Sequence, residues 1–390
     1  MAVKNSAGFK VLDAISVVSK KIAGSELKIK RTKEFAQAEG KLASYFGIAS
    51  SGQIDNIARK IMMNEEKGDA YVRAWHLVFG VATGDAMGFP VQFYTREQAK
   101  KLNVTGMTAH RSGLYPAGSW SDDTSMTLAL ADSLCEKDAL DYDDIMGRFS
   151  DWLGKGRYTP GGRAYDVGRT CFRALMRYHD GVAPLDCGGL AKTDNGNGSL
   201  MRISPLVLYL RKKYGDSAFD DGRAFDAVHD VSRLTHAHPV ALVGCDIFLA
   251  VLLALMNGMP KDVAVDRGIA QVSVFVQKHS EYKEAFAAYG RIAGGGFREL
   301  SKEKISSSGY VVDTLEAALW CFLTTDSYRA CILKILGLGR DTDSIGAVAG
   351  AMAGIHYACS GEKDIPQEWS VVLQGQELLV QTARRLAEKY

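Results

Sequence analysis

A chain of 390 residues can form two average domains or one large one with an appendage, and 47% hydrophobic with 24% charged residues excludes a fibre or a disordered chain. The net charge of +2 hides an asymmetry, because residues 1–67 carry 12 Lys/Arg against 7 Asp/Glu and the remainder 35 against 38. Seven scattered cysteines (Cys135, Cys171, Cys187, Cys245, Cys321, Cys331, Cys359), odd in number and without a C-x-x-C pair, argue against a disulfide framework or a zinc site and for a reducing compartment.

In chain order, residues 1–67 combine short amphipathic pieces (11–22, 34–45 and 54–63) with the basic run Lys28, Lys30, Arg31 and Lys33. They read as a basic N-terminal extension, helical or extended, with a boundary near Gly68. Asp13 interrupts the one apolar stretch near the start, so no signal peptide and a cytoplasmic location are expected. Beyond the boundary helical periodicity dominates and sustained alternation is absent. The spacing predicts a helix over 69–84, with Val72, Trp75, Val78, Phe79 and Ala82 on one face, and another over 122–134, with Met126, Leu130 and Leu134. Further helices are predicted over 164–178, 224–233, 239–257, 262–277, 281–293, 313–322, 327–336, 344–359 and 367–388. The longest apolar run, 240–256, contains Asp246 and is short for a bilayer, so it reads as a core helix and no membrane association is expected. After Asp343, glycines at 346, 350 and 354 share one helix face, each costing about 1 kcal/mol of helix propensity. Close approach of another backbone is the expected compensation. Glycine-dense loops at 158–162, 188–199, 294–296 and 337–339 join the elements, and the fold class is all-α with its chemistry on loops.

Two acidic clusters each open a predicted helix: Ser121-Asp122-Asp123-Thr124 and Asp341-Thr342-Asp343-Ser344. One capping oxygen suffices for a helix start. A second adjacent carboxylate adds repulsion unless a cation offsets it, and a buried pair is costly unless it is metal-bound. Carboxylate and hydroxyl oxygens without nearby His or Cys suit Mg²⁺ first and Mn²⁺ second. A calcium EF-hand fails, since Met352 stands where the loop's closing Glu belongs and Ile345 at its fifth position.

These clusters, with Gly84-Asp85-Ala86-Met87-Gly88-Phe89-Pro90, Pro160-Gly161-Gly162, Tyr165-Asp166-Val167-Gly168, Gly196-Asn197-Gly198-Ser199-Leu200-Met201-Arg202, Thr235-His236 and Gly309-Tyr310-Val311-Val312-Asp313-Thr314, resemble the ADP-ribosylglycohydrolase family, in the family's order from about residue 72 to 359. The resemblance implies an all-α domain over 68–390 with a binuclear Mg²⁺ centre. By position, Ser121, Asp122 and Asp123 would be ligands from one side, and Asp341, Asp343 and Ser344 from the other. Asp123, Asp166 and Asp343 would serve catalysis, with Asp166 facing a substrate guanidinium. Gly161, Gly162, Asn197, Gly198, Ser199 and His236 would line the substrate cleft.

Three departures stand out. Gln92 replaces a usual glutamate near the metals, serines replace threonines at 121 and 344, and Arg340 stands where glycine is common. The implied activity is removal of ADP-ribose from modified protein side chains, arginine above all. An alternative is an immunity protein that blocks an ADP-ribosyltransferase toxin through residues 1–67. A third keeps the metals but acts on phosphate or small ADP-ribose esters. Nucleic acid is not an expected partner, since four basic residues cluster without an aromatic platform.

Overall fold

The computed structural model describes residues 65–390, and side chains from Gly68 onward; the basic extension and its partner role lie outside the described residues. Two helices form its axis, α1 (Glu65–Gly88) and, near the other end of the chain, Thr342–Tyr357. A methyl group added at Gly84 would lie 2.0 Å from the Gly346 carbonyl oxygen, at Gly80 2.4 Å from that of Gly350, and at Gly88 2.2 Å from that of Thr342. The pairing numbers run in opposite directions, so the helices are antiparallel and touch backbone to backbone. The predicted stripe at 346, 350 and 354 therefore meets a matching stripe at 80, 84 and 88.

Around this seam lie α2 (Arg96–Leu102), α3 (Asp122–Lys137), α4 (Tyr142–Lys155), α5 (Arg169–His179), α6 (Leu206–Tyr214), α7 (Arg223–Arg233), α8 (Pro239–Met256), α9 (Lys261–Lys278), α10 (Val311–Leu323), α11 (Tyr328–Leu336), α12 (Thr342–Tyr357, the seam helix) and α13 (Gln376–Lys389). Among the described residues there is no strand; two isolated bridges, Gly189 with His236 and Gly196 with Tyr310, tie loops together. The all-α expectation holds.

Individual predictions differ in informative ways. α2, α4 and α6 were not anticipated. α4 buries Ile145, Met146, Phe149 and Trp152 and is capped by the Asp141 side chain, which accepts from Asp144 N at 2.9 Å. The helix expected at 164 starts at Arg169, because Asp166 takes a left-handed φ of 55°. The segment 281–293 breaks into three short turns. Residues 367–388 split at Gly375, whose φ is 59°. α8 is long and apolar enough to cross a membrane by composition, yet 94% of it is buried inside the fold. Its Asp246 is matched there by His229, Nε2 to Oδ2 2.8 Å.

Candidate active site

The C-terminus of α1 and the N-termini of α3 and α12 meet at one place, so both acidic clusters are delivered to one end of the glycine seam. Asp85, on α1, accepts hydrogen bonds from the Ser121 amide (3.0 and 3.1 Å), the Thr124 amide (3.0 Å) and the Thr124 hydroxyl (2.6 Å). A carboxylate from one helix thus caps another, satisfying donors that α3 cannot satisfy internally. The Ser121 hydroxyl donates to Asp123 Oδ2 at 2.7 Å and accepts from the Asp123 amide at 3.3 Å.

On the other side, Asn197 Nδ2 donates to Asp341 Oδ2 at 2.5 Å and to Thr314 Oγ1 at 2.9 Å. Its own loop is pinned by Asn197 N to Gly309 O and Val311 N to Asn195 O, both 3.0 Å. Asp341 is therefore oriented by a rigid loop rather than by its own helix.

The electrostatics are one-sided. Burial, then neighbouring carboxylates, hold Asp122, Asp123 and Asp343 well above the usual carboxylate range. Burial pushes Asp85 and Asp341 up to about 6, against hydrogen bonds from Thr124 and Ser121 in the first case and from Asn197 and Ser344 in the second. Asp166 is raised by burial, opposed by the adjoining Gln92, and its charge acts in turn on Asp122, Asp341 and Asp343. Among the described residues no Lys, Arg or His forms an ion pair with any of these six. Asp123 Oδ1 and Asp343 Oδ1 are buried without a hydrogen-bond partner. Orphaned buried acceptors are rare and expensive, on the order of 1–3 kcal/mol each.

A cleft of about 480 Å³ opens over this cluster, lined among others by Asp122, Asp166, Asn197, Gly198, His236, Asp341 and Ser344. Gly198 is required there, since a methyl group would come within 2.8 Å of both Cys171 Sγ and His236 Cε1. The His236 imidazole is buried, with Nδ1 2.8 Å from Thr235 Oγ1. Burial and the nearby Arg202 guanidinium hold its pKa down to about 3, so it is neutral at physiological pH. Arg202 is itself buried; it stacks 4.8 Å above Phe149 and donates to the carbonyls of Gly198 and Val231, bracing the cleft loop from behind.

The family model for ADP-ribosylglycohydrolase matches residues 67–390. The chain belongs to the ADP-ribosylglycohydrolase family. It is similar to the ADP-ribosylarginine hydrolase Tri1 of Serratia proteamaculans (31% identical over 307 residues, 79% of this chain and 76% of that one). It is also similar to the ADP-ribosyl-[dinitrogen reductase] glycohydrolase of Rhodospirillum rubrum (32% over 302 residues, 76% and 88%). A solved chain of an ADP-ribosylglycohydrolase-related protein complex superposes with a TM-score of 0.65 at 28% identity, covering 83% of this chain and 99% of that one. The protein is accordingly an enzyme, a hydrolase of N-glycosidic ADP-ribose linkages.

In this glycohydrolase the residues singled out in the sequence fall into three groups. Asp122, Asp166, Asn197, Gly198, His236, Asp341 and Ser344 line the cleft. Asp123 and Asp343 lie deeper and buried, as does Gln92, whose amide has no hydrogen-bond partner of ordinary geometry, and Ser121, also buried, lines a separate small cavity. The third group sits elsewhere. Gly161 lines a separate cavity of about 240 Å³. Gly162 is exposed, its carbonyl oxygen 2.1 Å from where a methyl group at Gly156 would lie, and Ser199 turns inward to accept from Ser232 at 2.9 Å. Arg340 is exposed at a φ of 64°, its amide donating to Tyr94 O at 2.7 Å.

Asp85 was missed as a functional residue. Its signal was present: a single carboxylate inside the apolar stretch of α1, next to a seam glycine, is too costly to bury without a purpose.

Proposed function

We propose that this glycohydrolase is a Mg²⁺-dependent enzyme that removes ADP-ribose from arginine side chains of modified proteins. The observation that carries the proposal is the pair of buried oxygens without a hydrogen-bond partner, Asp123 Oδ1 and Asp343 Oδ1, within six carboxylates that form no ion pair among the described residues. The relatives named for ADP-ribosylarginine and for dinitrogen reductase support the linkage and the protein substrate.

The residues present fit a hard cation. The donor set is carboxylate and hydroxyl oxygen throughout, which Mg²⁺ and then Mn²⁺ prefer. Among the described residues, no three His, Cys, Asp or Glu side chains converge as a finished cage. The ions would therefore also use the hydroxyls of Ser121 and Ser344 and retained water, as Mg²⁺ commonly does. Ser121, Asp122 and Asp123 would hold them from α3, and Asp341, Asp343 and Ser344 from α12. Bound there, two Mg²⁺ ions would orient the ribose hydroxyls and make a water more acidic.

The protein's own groups supply the rest. Asp166, at the cleft wall with a strained backbone, faces where the guanidinium would lie and favours its charged form. As the C–N bond breaks, positive charge builds on the ribose, and the surrounding carboxylates stabilise it. Water adds at the anomeric carbon and gives one proton to a carboxylate, and the guanidine, neutral as the C–N bond breaks, takes that proton up as it leaves. Neutral His236 and the Asn197–Gly198 backbone would meet uncharged and anionic parts of the nucleotide.

The deciding experiment is hydrolysis of ADP-ribosyl-arginine, ADP-ribosyl-serine and O-acetyl-ADP-ribose, with Mg²⁺ and with chelator. Cleavage of the arginine conjugate alone, abolished by chelator, is expected. Preference for another conjugate, or chelator-insensitive turnover, would overturn the proposal.

A pH dependence accompanies the metal. Asp85 and Asp341 have folded-state values of about 6, above the ordinary 3.8. Between these values the folded state holds protons that the unfolded chain has released, so the metal-free protein loses stability from these groups as pH rises from about 4 to about 6. Mg²⁺ offsets the resulting repulsion but competes with protons below that range. The rise in Tm on adding Mg²⁺ should be larger at pH 7.5 than at pH 5.5. An equal rise at both would show that these carboxylates do not take part.

A further inference from the structure

A second cavity, of about 240 Å³, lies against the catalytic cleft and shares its wall. Ser121 lines the small cavity and Asp122 the cleft, and Tyr165 lines the small cavity and Asp166 the cleft. In two consecutive pairs one residue lines each cavity, so the chain at the acidic end of the active site forms the partition between them. The scissile ribose must sit at that end, among the carboxylates. Whatever the ribose is attached to must leave the cleft there, onto the neighbouring surface.

That surface is built for a chain rather than a small ion. Its inner wall is aromatic: Tyr115 and Tyr165 pack with ring centroids 4.4 Å apart, and Phe89 backs both at 5.4 and 4.9 Å. Leu114, at its rim, is 73% exposed, the most exposed large apolar residue among those described. Arg163 is the one charged residue lining it, and it forms no ion pair among the described residues. The loop carrying Leu114 and Tyr115 is held in place, because Gln374 donates to Ala117 O at 2.9 Å and its amide to Gly118 O at 2.9 Å.

We propose that this cavity is the acceptor-docking site: it binds the polypeptide next to the modified arginine, taking an apolar side chain between Leu114 and Tyr115 and a carboxylate against Arg163. The inference rests on the reading that the cleft removes ADP-ribose from protein side chains. It goes further by assigning the acceptor sequence preference to Leu114 and Arg163, which line the small cavity and not the cleft. An aromatic wall with a rigid loop favours an apolar anchor, and a lone rim cation selects charge chiefly at low salt.

The test is binding, measured on the full chain in chelator so that turnover does not enter. The probes are two fluorescent ADP-ribosylarginine peptides, one flanked by Leu and Asp and the other by Ser and Lys, together with free ADP-ribosyl-arginine. The wild type should bind the Leu/Asp peptide about tenfold more tightly than the Ser/Lys peptide. Leu114→Asp and Arg163→Glu should each remove most of that preference, and Arg163→Glu should shift it towards Lys. Both variants should bind free ADP-ribosyl-arginine within about twofold of wild type, which shows that the fold and the cleft are intact. Equal affinity for the two peptides in the wild type, or parallel losses for peptides and free conjugate in the variants, would overturn the docking site. The reading it rests on fails separately, if the wild type with Mg²⁺ leaves free ADP-ribosyl-arginine uncleaved.

Discussion

Asp343→Asn is expected to lower turnover by about three orders of magnitude while raising the stability of the metal-free protein. The two effects have one cause. Asp343 is buried among Asp341, Asp123, Asp166 and Asp85, and every one of those charges opposes its ionisation. Its Oδ1 has no partner, so the folded chain carries an uncompensated acceptor. Asparagine keeps the shape and removes the charge, which relieves repulsion in the absence of metal but removes a ligand in its presence. Melting in chelator should show the variant above wild type, and in Mg²⁺ the gap should close or reverse. A variant less stable than wild type in chelator would mean that the cluster is not a strained site held for function. Turnover within tenfold of wild type would remove Asp343 from the catalytic set.

Gly84→Ala should destabilise the fold strongly. The added carbon would lie 2.0 Å from the Gly346 oxygen and 2.5 Å from its carbonyl carbon, with no flexible side chain to yield. Overpacking in a core usually costs about 1–3 kcal/mol, and a clash of backbone on backbone should exceed that. A loss of this size is a large part of a typical stability of about 5–15 kcal/mol. The displacement would also carry Asp85 away from Ser121 and Thr124, uncapping α3 and moving one acidic cluster relative to the other. Gly147→Ala is the control: it lies within α4, nothing meets the new methyl within 4 Å, and helix propensity predicts a gain of about 0.5–1 kcal/mol. Denaturant melts should move in opposite directions for the two. If Gly84→Ala unfolds at the wild-type midpoint, the α1–α12 contact is looser than the backbone distances imply.

Much of the helical scaffold could be read from periodicity, because long amphipathic segments leave an unambiguous trace. α8 is plain from its apolar run, and α12 from its glycine stripe behind the Asp341–Ser344 cluster. The failures came where a local signal was overridden or overlooked. α4 is legible in the sequence, in a capping Asp141 and an apolar face of Ile145, Met146, Phe149 and Trp152. The late start of α5 was not written locally: Asp166 adopts a left-handed backbone that its sequence neighbours do not demand, and the acidic site around it supplies the context. Ser199 shows the same limit. It belongs to the cleft loop in sequence, but its hydroxyl accepts from Ser232 of α7.

By itself the sequence determined that this chain is helical, that two acidic clusters begin helices, and that a glycine stripe demands a close neighbour. Those are properties of residues a few positions apart, where propensity, capping and periodicity act. What the neighbour is, and that it brings Asp122 and Asp343 into one buried electrostatic cluster with Asp85 between α1 and α3, only the tertiary structure decided. The Gly80–Gly84–Gly88 stripe and the Gly346–Gly350–Gly354 stripe lie more than 250 residues apart, and each is an ordinary helix flaw until the other fills it. Burial then converts separate carboxylates, unremarkable in water, into a set in which each opposes the ionisation of the others.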